Sequence, residues 1–155
     1  MPTLTQMSTI GGEEMSNIMF FVHLLGAIGM GIYIVLPVMI GKASKLAGQG
    51  QVGLAEGLLS ANRIAQFFLI IQLLTGGFMM TQKDYSVAWM IIITLLFLGI
   101  GAFGGIIAKP LKGIVAAIGQ DQSATALISK ARIMSLIILV LYLVIIYFMK
   151  YPMFK

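Results

Sequence analysis

The sequence predicts an all-α integral membrane protein, a four-helix bundle built from two antiparallel hairpins. Four runs of uninterrupted apolar residues fill most of its 155 positions, and the composition is 59% hydrophobic but only 10% charged. A hydrocarbon core about 30 Å thick needs about 20 apolar residues per helical span, and each run is close to that length. Soluble domains carry about a quarter charged residues. A chain with a mean hydropathy of +1.02 could not cover itself with a soluble surface at this size, so lipid and neighbouring helices must solvate most of its side chains. In lipid every backbone amide has to be paired within its own segment, which makes these runs helices rather than strands.

Taken in order, residues 1–16 form an outer N-terminal segment, MPTLTQMSTIGGEEMS. It has no basic leader and no small-residue cleavage site, so the first apolar run is expected to stay as a helix. Span one covers about 17–40, with Pro37 as a kink. Span two covers about 64–80, span three about 87–108 with Pro110 marking its end, and span four about 133–149. Only Thr-Gln-Lys-Asp-Tyr-Ser separates spans two and three, a tight turn that makes them antiparallel neighbours. The other two connections, 41–62 and 109–130, mix aliphatic residues with Lys, Gln and single acids. That pattern suits helical extensions into water, with turns expected at Gly48-Gln49-Gly50 and Gly119-Gln120-Asp121.

Ten Lys and Arg against five Asp and Glu give a net charge of +5. In this context the basic residues flank spans, so they read as topology signals and not as a nucleic-acid surface. The long connections and the span ends beside them carry seven of them: Lys42, Lys45, Arg63, Lys109, Lys112, Lys130 and Arg132. The opposite side carries Lys83, Lys150 and Lys155. The expected topology therefore has both long connections in the cytoplasm and both termini outside an inner membrane. A short internal similarity fits this layout: Ser60-Ala61-Asn62-Arg63-Ile64 resembles Ser129-Lys130-Ala131-Arg132-Ile133.

Chemistry-bearing residues are few. The chain has no cysteine, which excludes disulfides and thiolate ligation, and one histidine, His23. An ionisable group inside a span is a functional candidate, and imidazole ligates haem iron, copper and zinc. Met15, Met19 and His23 share a helix face that continues through Gly26, Ala27 and Met30. Counting equal depths at a rise of about 1.5 Å per residue brings Thr75, Thr94 and Tyr142 to the level of His23, a polar node of three hydroxyls around one imidazole. Two readings follow. In one, the node is a satisfied polar cluster that fixes helix packing. In the other, His23 binds haem b, with Met19, Met79, Met80 or Met149 as a second axial ligand, or binds copper with some of the twelve methionines.

Gly99, Gly101 and Gly104 spell a dinucleotide-like G-x-G-x-x-G, but no strand precedes it and no acid follows. Gly101 and Gly105 are instead expected to serve close helix packing, either inside the bundle or between protomers, and Gly26 is expected to let another helix approach as well. Tyr85, Trp89, Tyr147 and Tyr151 are expected to form an interfacial aromatic belt. No Asp or Glu lies inside a span, which argues against proton-coupled transport, and no catalytic constellation of Ser, His and acid is present.

The run from Phe21 to Gly31 (Phe-Val-His-Leu-Leu-Gly-Ala-Ile-Gly-Met-Gly), Arg63, Leu74-Thr75-Gly76-Gly77 and the closing Tyr147-Phe148-Met149-Lys150-Tyr151-Pro152 resemble bacterial membrane proteins grouped as Domain of Unknown Function 2269. That group in turn is similar to the membrane domain of copper-resistance protein D. The resemblance implies a four-helix membrane fold, with any metal handling resting on His23. The expected function is that of a non-enzymatic membrane protein, a subunit or accessory of a larger assembly or a homo-oligomer. Haem or copper binding at His23 is the alternative.

Overall fold

A computed structural model describes the backbone of residues 4–153 and the side chains of residues 12–153. The described residues are helical with no strand, in the order α1 (Leu4–Met30), α2 (Ile32–Ala43), α3 (Gly48–Met80), α4 (Val87–Ile106), α5 (Ala108–Gly119) and α6 (Thr125–Lys150). They compose four stretches long and apolar enough to cross a membrane: Gly12–Ala43, Gly48–Met80, Val87–Gly119 and Thr125–Lys150. The N-terminal segment is already helical from Leu4, upstream of the expected start of span one. At 1.5 Å per residue a 33-residue helix such as α3 is about 50 Å long, well beyond the thickness of a hydrocarbon core. The helical extensions expected in the two long connections are continuations of the spans themselves.

The turns sit slightly away from their expected places. The first occupies residues 44–47, and Gly48, with φ of +54°, opens α3. In the second, the left-handed residue is Asp121 (φ +55°) and not Gly119, a conformation that a short polar side chain tolerates.

Spans one and three each break once. The first break falls at Gly31, about two turns before Pro37, where Gly31 N–H turns back to Ile28 O (2.9 Å) and Ile34 N–H to Gly31 O (3.0 Å). A Cβ on Gly31 would stand 2.9 Å from the Ile28 carbonyl oxygen, so the tightened turn requires glycine. Pro37 itself is accommodated inside α2. The second break, at Ile107, precedes Pro110, which lies in the first turn of α5 where a missing N–H is tolerated.

One continuous core runs through the molecule, including Tyr33, Leu36 and Ile40 of α2, Ala65 of α3, Ile100 of α4, Leu111 of α5 and Ile138 of α6, all fully buried. The outward faces are apolar as well: Ile28, Val38, Leu74 and Leu95 are each more than 60% exposed. A surface of that kind is stable in a bilayer and not in water.

Candidate functional site

His23 lies on α1 against α3, and small residues let it approach. A Cβ on Gly76 would stand 3.2 Å from His23 Cε1, and one on Gly26 would stand 3.1 Å from Gln72 Cγ, so both helices use glycine at this contact. His23 Nδ1 is 2.8 Å from Thr75 Oγ1. The threonine hydroxyl has a single proton and also lies 2.7 Å from Ile71 O. With the hydroxyl proton on Ile71 O, the oxygen accepts from the ring and Nδ1 carries the imidazole proton; with that proton directed to the ring, the roles reverse. Nε2 has no partner among the described residues and is not among the shielded polar atoms.

Gln72 completes this arrangement from one turn below Thr75. It is 3% exposed, and its Nε2 donates to His23 O at 2.8 Å. Because the backbone carbonyl can only accept, this bond fixes the amide orientation. Gln72 Oε1 is then left buried without a partner, an uncommon state for an interior acceptor.

His23 and Gln72 both line a cavity of about 240 Å³. Its origin is the uneven pairing of helices at this end of the molecule: α1 packs chiefly on α3, α4 packs chiefly on α6, and contact between α3 and α4 is sparse. The cavity fills the resulting gap. Its far wall is aromatic, with Phe97 and, two turns away on α4, Trp89, whose ring stacks on Tyr85 at a centroid distance of 4.6 Å. Trp89 is 5% exposed and its Nε1 donates to Phe148 O (3.0 Å), tying α4 to the end of α6. The chain beyond α6 turns back over this end, where Met153 O accepts from Ser86 N (2.8 Å) and Pro152 reaches the cavity wall. Phe20, Leu73 and Thr94, also in the wall, are exposed on the outer surface, so the mouth opens sideways among apolar outward-facing residues.

The residues singled out from the sequence distribute unevenly around this centre. Met79, Met80 and Met149 line the cavity together with His23, whereas Met19 is half-buried on α1 outside it. Thr75 bonds the imidazole. Thr94 does not: its hydroxyl returns to Met90 O at 2.8 Å on its own helix, and it contributes only to the cavity wall. Tyr142 donates to Ala27 O (2.8 Å), one turn past His23, and makes an edge contact with Tyr33. The expected polar node is thus a bonded pair, His23 and Thr75, with Gln72 as the member that equal-depth counting passed over. Trp89 belongs to the cavity and not to an exposed belt, in contrast to Tyr147 and Tyr151, which are about 60% exposed.

Among the glycines of α4, Gly101 meets Leu69 at ordinary contact distance and Gly105 faces open space. The close approach is made by Gly104, whose missing side chain leaves room for Gln66 Nε2 and for the Tyr33 hydroxyl. Those two groups bond each other at 2.9 Å, and Asn62 Nδ2 donates to Gly104 O at 2.8 Å.

Comparison with protein-family models, with curated proteins and with solved structures finds no match. The site has to be read from its own chemistry. Among the described residues no group of three or more His, Cys, Asp or Glu converges on a point, so the donors available near His23 are thioethers, hydroxyls and one amide oxygen.

Proposed function

We propose that this protein is a non-enzymatic, multi-pass inner-membrane protein that binds a small ligand in the His23 cavity, acting as a subunit or accessory of a larger membrane assembly or as a homo-oligomer. The observation that carries this reading is the state of His23: bonded to Thr75 through Nδ1, it leaves Nε2 accessible, with no partner among the described residues, on a residue that lines an apolar cavity. The antiparallel four-helix bundle belongs to the same reading. It is supported by contacts that climb one helix while descending the other, from His23–Thr75 through Tyr33–Gln66 to Ala43–Gln51. The basic residues favour termini outside and long connections in the cytoplasm.

A second reading has its own support. Met79, Met80 and Met149 stand in the cavity wall with His23, a soft donor set suited to Cu(I). Haem b is less well served, because about 240 Å³ is below the roughly 300–1,000 Å³ of sites that hold drug-sized molecules. The resemblance to the Domain of Unknown Function 2269 group adds weight to the bundle and, through His23, to metal handling.

Purification from native membranes, followed by a visible absorption spectrum, elemental analysis and identification of co-purifying chains, tests both readings. A bound organic ligand or stable partner chains without metal is the expected result. Stoichiometric copper or a Soret band lost in His23→Ala would establish the second reading, and a ligand-free, partner-free monomer would remove the first.

A further inference from the structure

Arg132 stands where α6 enters its apolar stretch, and its guanidinium lies against α2. A Cβ on Gly41 would be 3.7 Å from Arg132 Cζ and Nε and 4.0 Å from Nη2, so the glycine leaves a shallow seat on which the flat group rests. Among the described residues this side chain has no hydrogen-bond or ion-pair partner. The acids on this side of the molecule are Glu56 and Asp121, against seven basic residues, and Lys45 follows Gly41 by four residues in the exposed turn after α2. A seated guanidinium with its donors free suits an oxyanion that takes two parallel N–H bonds, as a phosphate does.

Helix phase shapes the surface next to it. At 3.6 residues per turn, buried Leu36, Pro37 and Ile40 lie to one side of Gly41 around α2, and exposed Ile34 and Val38 to the other. Around α6, buried Ala131 and Ser135 lie to one side of Arg132, and exposed Leu136 and Leu143 to the other. Register runs from Arg132 at Gly41 to Tyr142 at Ala27, so the two exposed edges border the same outward seam. That seam is an apolar groove running about 16 Å from Arg132 to Leu143 at about 1.5 Å per residue, close to half of a hydrocarbon core about 30 Å thick.

We infer that the seam between α2 and α6 binds one anionic phospholipid, its phosphate on Arg132 with Lys45 as a second cation, and an acyl chain along Val38 and Leu136. The basic surroundings select an anionic headgroup over a zwitterionic one, whose ammonium would meet Lys42, Lys45 and Lys130. Arg63 supplies an internal comparison. It holds the matching place before span two, and no described glycine has it among its nearest neighbours.

The full chain, purified in detergent and stripped of lipid, is titrated with an equimolar mixture of phosphatidylglycerol and phosphatidylcholine carrying identical acyl chains, and bound lipid is counted by native mass spectrometry. The expected result is one phosphatidylglycerol retained per chain at concentrations where phosphatidylcholine is not, and no displacement by excess inorganic phosphate. Arg132→Gln should weaken retention roughly tenfold, the effect of losing hydrogen bonds to a charged group. Lys45→Gln should weaken it about fivefold, as for one cation near a lipid surface. Gly41→Leu, which fills the seat and keeps the arginine, should act as strongly as Arg132→Gln, whereas Arg63→Gln, which removes an equal charge, should change nothing. Unchanged unfolding temperatures in lipid-free detergent separate lost binding from a lost fold, and Lys45→Gln, in an exposed turn, carries the test if Gly41→Leu unfolds.

Equal retention of the two lipids would overturn the site. Equal losses in Arg63→Gln and Arg132→Gln would overturn it as well, reducing it to a diffuse attraction of the basic surface for anionic lipid. Displacement by inorganic phosphate would overturn the lipid assignment and leave an anion site at Arg132.

Discussion

His23 and Thr75, fifty-two residues apart in the chain, meet at 2.8 Å, and the threonine hydroxyl also lies 2.7 Å from Ile71 O, an arrangement that favours the imidazole proton on Nδ1. A side chain that selects a tautomer through a neighbour's hydroxyl is a positioning device, because it fixes both the ring plane and the direction of the free lone pair. Replacing Thr75 by valine keeps the volume and removes the acceptor. We predict a loss of about 1–3 kcal/mol in unfolding free energy, from the donor left unpaired, and a mixture of tautomers where the native protein has one. Nitrogen-15 spectra of the labelled imidazole measure this directly: the native protein should show a protonated Nδ1 and an unprotonated Nε2, and Thr75→Val should blur the distinction. A native spectrum with the proton on Nε2 would reverse the donor logic of the site.

The break in span one creates a second testable relationship. Because Gly31 N–H turns to Ile28 O, the carbonyl of Ala27 loses the partner a regular helix would give it, and Tyr142 of α6 donates its hydroxyl to that oxygen at 2.8 Å. Tyr142→Phe keeps the edge contact with Tyr33 and removes the bond. The expected cost is about 1–2 kcal/mol, the upper part of the range for hydrogen bonds between membrane helices, since a backbone acceptor is left bare. Gly31→Ala should cost at least as much by pressing on the Ile28 carbonyl. Thermal unfolding in a fixed detergent, with Tyr147→Phe at an exposed tyrosine as the control, separates this bond from general effects of losing a hydroxyl.

Neighbouring glycines of α4 should behave oppositely. A methyl group on Gly104 meets the Tyr33 hydroxyl and displaces Gln66, whereas one on Gly105 meets nothing within 4 Å. Gly104→Ala is predicted to destabilise by about 1–3 kcal/mol through overpacking. Gly105→Ala should be neutral or stabilise by up to about 1 kcal/mol, because alanine favours helix. Comparable losses at both positions would mean that Gly105 also packs closely, against a second protein chain.

These pairs show where sequence reading succeeds and where it stops. Apolar length is a one-dimensional property, so four spans were legible from hydropathy alone. Depth along a span is nearly so, and counting from the ends brought Thr75 and His23 together correctly. The angle around each helix axis is not recoverable from depth: Thr94 sits at a suitable level but turns its hydroxyl to its own backbone, and the G-x-x-x-G spacing of Gly101 and Gly105 passes over Gly104, which makes the close approach to Tyr33 and Gln66. Trp89 was misread for a related reason. Its place near a span end fits an interfacial belt, and only the separation of the α1–α3 and α4–α6 pairs turns it into a cavity wall. Gln72 could have been found from sequence, since an amide in mid-span must be satisfied by protein and stood on one stripe with Thr75 and Met79.

Orientation in the membrane is the remaining premise, and the absence of cysteine makes it straightforward to test. Seven basic residues mark the side of the connections at 44–47 and 120–124, and basic flanks are retained in the cytoplasm. The cavity, bounded by Tyr85, Met149 and Pro152, lies at the opposite end, so this topology places its mouth in the outer leaflet. Single cysteines at Lys45 and Lys112 should resist a membrane-impermeant maleimide in intact cells and react only after permeabilisation. A cysteine at Lys83, in the turn between α3 and α4, should react without it. Labelling of Lys45→Cys from outside would invert the protein, put His23 in the inner leaflet, and require that any ligand be drawn from the cytoplasmic side.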